Sequence, residues 1–239
     1  MAFHNDRADR NPHQTPIAGP APEACQIDSC CSGDQPPTQA CLATLASVYV
    51  AETLDPAKMQ PEDRHWQTAL LAQLCEHIVE THHSYVRRAT QQLLPRIEEL
   101  ARVGGRTHAE LPLLRNLFQR LAEELANHLM KEERILFPYI DQLERAANSG
   151  AQSVPPMFGT VRNPIRMMVS EHDGAEGLLS EMRNITRDYR VPLDVGAEWE
   201  SVYRTLREFE ADLYQHIHLE NDILFPRAIE LEAAQTSHE

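Results

Sequence analysis

The chain has 239 residues, 42% of them hydrophobic and 6% aromatic, with a formal net charge of −14. That is enough apolar material for one large core, and an acidic balance without a basic stripe excludes nucleic acid as the main partner. No apolar run approaches the ~20 residues that cross a bilayer. The opening Met1-Ala-Phe-His-Asn-Asp-Arg lacks the apolar centre of a secretory signal, so no membrane partner and a cytoplasmic location are expected. Five cysteines (Cys25, Cys30, Cys31, Cys41, Cys75), an odd number in a reducing compartment, argue against a disulfide framework.

Residues 1–40 are rich in Pro, Gln, Asp and Ala and hold too little apolar surface to offset the entropy of ordering, so they are expected to be largely disordered. Residues 41–62 read as a short helix over the apolar run Leu42 to Val50, followed by a linker marked by Pro56 and Pro61. Residues 63–235 are helical in pattern. A first helix is predicted over 65–102, with Leu71, Leu74, Ile78 and Val79 on one stripe, a bend at Pro95 and a stop at Gly104-Gly105. Thr107-His-Ala-Glu110 has the form of a capping box opening a second helix that carries Leu114, Leu117, Phe118, Leu121 and Leu125.

After a looser stretch over 148–160, Asn163-Pro164 reads as an N-cap and first-turn proline for a third helix with Ile165, Met168, Leu178, Leu179 and Met182. Asp194 is the expected cap of a fourth, over 198–232. Pro138 and Pro226 are expected to kink or end the second and fourth helices alike. Four helices with short connections predict an all-α, up-down-up-down four-helix bundle with a flexible, Cys-containing N-terminal extension.

One phrase occurs twice in this pattern. His128-Leu-Met-Lys-Glu132-Glu-Arg-Ile-Leu-Phe-Pro138 returns as His216-Ile-His-Leu-Glu220-Asn-Asp-Ile-Leu-Phe-Pro226, 88 residues later. Residues four apart share a helix face, so each copy of H-x3-E sets an imidazole beside a carboxylate. A histidine precedes each by one hairpin: His83 lies 45 residues before His128, and His172 lies 44 before His216. The set His83, His128, Glu132, His172, His216 and Glu220 is richer than one zinc requires and suits two ions of iron, manganese or zinc, each taking two imidazoles with the carboxylates bridging. His82 competes with His83, since aligning Val79 with Val169 would pair His82 with His172, and the two neighbours are not expected to face inward together. His65, His77, His108 and His218 are expected to be exposed or behind the site. Tyr85, Met130, Phe137, Tyr139 and Met168 are assigned to the core.

At these residues the chain resembles the hemerythrin-like di-iron proteins, and within them the "repair of iron centres" group. The likeness rests on HH-x3-R (82–87), NHLMKEERILFP (127–138), NPIRMMVSEHDGA (163–175) and HIHLENDILFP (216–226), and it spans about residues 63–230. The group's four-His, two-Glu pattern differs from that of oxygen-carrying hemerythrins, which use five His with an Asp and a Glu. The resemblance implies that His83, His128, His172 and His216 hold two non-haem iron ions, oxo- or hydroxo-bridged when oxidised, with Glu132 and Glu220 bridging. It also implies nitric oxide or another small diatomic ligand as a partner, iron–sulfur proteins as further partners, and a monomer or homodimer.

The role so implied is a cytoplasmic protein of the nitrosative-stress response that binds nitric oxide at its reduced centre and protects or repairs iron–sulfur proteins. Alternatives are iron donation without nitric oxide capture, a nitric oxide-reducing oxidoreductase, and an oxygen-binding or oxygen-sensing hemerythrin. Cys30 and Cys31 are similar to a Cys-Cys motif found near the N-terminus of many members, here in a proline-rich leader, which leaves open a thiol role or none.

Overall fold

The structure, a computed structural model, describes residues 65–151 and 153–236; the N-terminal segment, the 41–62 helix and linker, and Cys30 and Cys31 lie outside the described residues. Among the described residues there are four long helices and no strand. Helix α1 (71–104) comprises Leu71–His77, a π-helical turn Ile78–His83 and Ser84–Gly104. Helix α2 (110–149) comprises Glu110–Lys131, a π-turn Glu132–Leu136 and Phe137–Ser149. Helix α3 is Arg162–Thr186, and α4 (197–236) comprises Ala197–His218, a π-turn Leu219–Leu224 and Phe225–Thr236. None of these helices is long and apolar enough to cross a membrane.

α1 packs on α2 and α4, and α2 packs on α3. The start of α1 meets the end of α2, and the start of α3 is bonded to the end of α4, which gives the up-down-up-down order expected. Two apolar clusters fill the interior. One, nearer the connections, includes Leu93, Ile97, Phe118, Leu121, Leu179 and Phe209. The other includes Leu74, Ile78, Leu136, Ile140, Ile165 and Leu224. Each such buried side chain contributes about 1.5–3 kcal/mol relative to exposure. That reserve is what allows a fully polar layer between the clusters.

Several local expectations fail. Pro138 and Pro226 neither end nor interrupt their helices, which run on to Ser149 and Thr236. A proline lacks the N–H and crowds the carbonyl four residues back; here a π-turn lies immediately before each, so the bonding register has already shifted where the ring enters. α1 begins at Leu71 rather than near His65, since Leu70 is extended.

The three local caps do not form: Thr107, Asn163 and Asp194 make no side-chain bond to the first turn of the helix they were expected to open. α3 starts at Arg162, ahead of Asn163. The starts of α1 and α3 are capped by carboxylates from distant helices, and the Thr160 hydroxyl accepts from the Arg162 amide at 3.1 Å. Glu144 accepts from the Leu71 and Ala72 amides at 2.7 and 3.0 Å. Glu232 accepts from the Val161 amide at 2.9 Å and from the Thr160 hydroxyl at 2.8 Å. Glu144 and Glu232 are again 88 residues apart, so the duplication extends beyond the phrase that first displays it.

Candidate metal centre

Between the two apolar clusters sit His83, His128, Glu132, His172, His216 and Glu220, all at most 2% exposed. Three of the four helices place these residues at or beside a π-turn: His83 closes the one in α1, Glu132 opens the one in α2, and Glu220 lies in the one in α4. The rings are held by the apolar end of the repeated phrase. Phe137 stacks on His83 (5.7 Å between centroids, 20°), and Phe225 stacks on His172 (6.1 Å, 5°). This is the specific job of the Phe in each ILFP.

The polar atoms converge in two groups that share the carboxylates: His83, His216, Glu132 and Glu220, and His128, His172, Glu132 and Glu220, each with its ligand atoms within 4.8 Å of one another. The Nε2 atoms of His83 and His216 are 3.3 Å apart, and those of His128 and His172 are 3.1 Å apart. Glu132 lies 3.4 and 3.3 Å from His83 and His128, and Glu220 lies 3.1 and 3.0 Å from His172 and His216. Such separations match ligands sharing an ion at bond lengths of about 2.1 Å.

The other ring nitrogens settle the chemistry of the donors. Nδ1–H of His83 donates to Glu133 at 2.7 Å, that of His128 to Glu171 at 3.0 Å, and that of His172 to Asn221 at 3.0 Å. Their Nε2 lone pairs therefore point inward, towards four buried carboxylate oxygens that have no other hydrogen-bond partner among the described residues. A buried cluster of acceptors costs several kcal/mol per uncompensated ion. It is stable only around cations: protons or metal.

The electrostatics agree. Burial opposes charge on His128, but the Glu132 carboxylate, with Glu220 and Glu171 behind it, outweighs burial and pushes its pKa up to about 9. His83 moves up for the same reason. Burial raises the Glu220 carboxyl, yet His216 and His172 more than reverse this and hold it well below the usual carboxylate range; Glu132 is also lowered, against burial and Glu220, by His128 and His83. The donor set of imidazoles and carboxylates, and its two-fold arrangement, fit a di-iron centre.

A cavity of about 380 Å³ lies between α2 and α3, lined in part by His128 and His172, with Lys131 and Glu171, themselves an ion pair, at its wall. Of the aromatic and sulfur side chains near the layer, Tyr139 and Met168 are buried and Met130 is exposed, and none of them lines this cavity.

His83 rather than His82 enters the centre, but His82 is also buried, at 5% exposure. The expectation that only one neighbour faces inward is thus corrected: His82 lies against His216 in a near-parallel stack (5.9 Å, 7°) and bonds Asp212 at 3.0 Å. The π-turn that ends at His83 widens the helix enough for both rings to be enclosed. His65, His77, His108 and His218 stay outside the two groups; His218 bonds Asp222 at 2.6 Å. Cys75 is buried, and burial first, then the carboxylates of Glu220 and Glu132, raises its thiol far above the usual value. The groups missed in the sequence are Glu133, Glu171 and Asn221. Two of them directly follow Glu132 and Glu220, a signal the repeat already carried.

Residues 75–228 match the hemerythrin HHE cation-binding domain, and the chain belongs to this family of helical cation-binding proteins. Within it, the chain is 35% identical over 205 residues to the iron–sulfur cluster repair protein YtfE of Enterobacter sp. (strain 638), covering 85% of this chain and 87% of that one. It is also 35% identical over 209 residues to YtfE of Escherichia coli O81 (strain ED1a) and 34% identical over 209 residues to that of Escherichia fergusonii, with the same coverage.

Proposed function

We propose that the chain holds one iron ion between His83 and His216 and a second between His128 and His172, with Glu132 and Glu220 reaching both, and that it serves in the repair of iron–sulfur proteins under nitrosative stress. The observation that carries the reading is the buried layer of four imidazoles and four carboxylate oxygens, in which three imidazoles have their lone pairs fixed inward, so that the layer requires cations. The repair role is supported by relatives named for it across most of their length.

When bound in the ferrous state, such ions supply a site that captures nitric oxide and a pool of iron for donation. The chain's own residues do the rest. Glu133, Glu171 and Asn221 fix the ring tautomers, Phe137 and Phe225 fix ring orientation, and the two apolar clusters exclude water. The cavity beside His128 and His172 gives a diatomic molecule room next to one ion.

The test is an anaerobic titration of the diferrous full-length protein with nitric oxide, with His128→Ala/His216→Ala alongside. A stable iron–nitrosyl signal in proportion to iron, absent from a double variant that holds no iron, is expected. Continuous nitrous oxide release would replace capture by a reductase reading. Two irons retained in the double variant would sink the site.

A further inference from the structure

The 88-residue repeat maps Glu133 onto Asn221, and the two occupy the same place with different charge. Glu133 accepts from Nδ1 of His83, the first imidazole of the first hairpin; Asn221 accepts from Nδ1 of His172, the first imidazole of the second. Glu133 is itself gripped by Arg87 at 2.6 Å.

The same contrast separates the other two imidazoles. His128 donates to Glu171, which is paired with Lys131. His216, its counterpart, has no acceptor for Nδ1 among the described residues. The residue before His172 is Glu171, whereas the residue before His83 is His82, turned to Asp212. Both imidazoles of the first hairpin therefore lean on an anchored carboxylate, whereas in the second His172 leans on a neutral amide and His216 on no acceptor among the described residues. Each of the two ligand groups takes one imidazole from each hairpin.

Charge-assisted hydrogen bonds are about twice as strong as neutral ones, and a carboxylate behind an imidazole raises its donor strength and fixes its angle, with changes there moving metal affinity about 10–100-fold. We propose that Glu133 is a positioning residue that retains metal through His83, and that Asn221 is the matched position at which retention is relaxed, so that metal leaves by detaching first from the second hairpin. This rests on the metal-centre reading above and adds to it which imidazoles yield.

The experiment uses full-length protein loaded anaerobically with two ferrous ions and follows transfer to a ferrous-specific chelator by absorbance. Glu133→Gln is expected to speed release about tenfold or more, and Asn221→Asp to slow it by a similar factor. Opposite signs are the signature, because a merely structural role would make both substitutions faster. Release unchanged in both variants, or faster in both, overturns the proposal. If Glu133→Gln takes up no iron, Asn221→Asp against the unsubstituted chain decides alone. An unsubstituted chain that fails to bind two irons would instead overturn the metal-centre reading, while two irons with unaltered variants overturns only this inference.

Discussion

The two ends of the bundle keep the internal duplication to very different degrees. At the end nearer the metal layer the ligands, their aromatic supports and the caps match: Phe137 and Phe225 stack on equivalent imidazoles, and Glu144 and Glu232 cap equivalent helix starts. At the other end nothing matches. α1 and α2 are joined by a short turn after Gly104, where Leu111 and Trp199 pack so closely that a side chain would crowd them. α3 and α4 are joined through Arg187, Asp188 and Tyr189, all left-handed, with the Tyr189 ring fully buried edge-on to Tyr203. The symmetry persists where two equivalent hairpins must present ligands to one centre, and it lapses where a connection only has to close.

The largest effect should appear at the layer itself. With His128 held at about 9 in the metal-free state, iron must displace its proton at neutral pH. From pH 9 down to pH 7 that single proton lowers ferrous affinity by about fiftyfold, measurable by competition with a chelator of known affinity. The metal-free protein should respond in the opposite sense. A raised pKa contributes stability that is complete below the unfolded value of about 6.5 and fades as pH rises through about 9. A denaturation midpoint of metal-free protein that climbed over that range would contradict this.

Next come the matched caps. Glu232→Ala removes the acceptor for the Val161 amide and for the Thr160 and Tyr139 hydroxyls. It should cost about 2 kcal/mol or somewhat more. Glu144→Ala removes an acceptor for two amides only and should cost about 1–2 kcal/mol. Urea denaturation of the metal-free protein compares the two, and equal costs would mean that the hydroxyls contribute nothing.

The smallest effect belongs to the unmatched end. Arg187→Gly removes a left-handed penalty of about 1–2 kcal/mol, partly offset by the greater freedom of an unfolded glycine. A gain of about 1 kcal/mol or less, with iron content unchanged, is expected. Iron loss in that variant would show that the two ends are coupled after all.

The bundle and the six central residues were readable because both depend on periodicities within single helices and on one repeated phrase. The caps were not, because Thr107, Asn163 and Asp194 obey short-range rules while the amides of Leu71 and Val161 at the helix starts are served by carboxylates more than 70 residues away. A buried helix start offers its amides to whatever packs over it, and local pattern cannot name that neighbour. His82 was misjudged for a related reason. A regular helix turns adjacent side chains about 100° apart, and no composition rule announced the wider turn that encloses both rings. The acceptors behind the imidazoles lay in plain view beside each repeated Glu, yet they acquire meaning only when the opposite helix brings an Nδ1 to them.

The wider turns also set the phase of everything beyond them. In α2, Glu132 and Glu144 face different targets, one the shared centre and one the start of α1, with a π-turn between them. Winding Glu132–Leu136 as regular α-helix with no residue removed would rotate the rest of the helix by nearly 100°. Phe137 would then swing off His83 and Glu144 off the amides it caps, although every side chain remained present. In this protein a one-residue surplus, repeated in α4, is what keeps the centre and the end of the bundle aimed correctly at the same time.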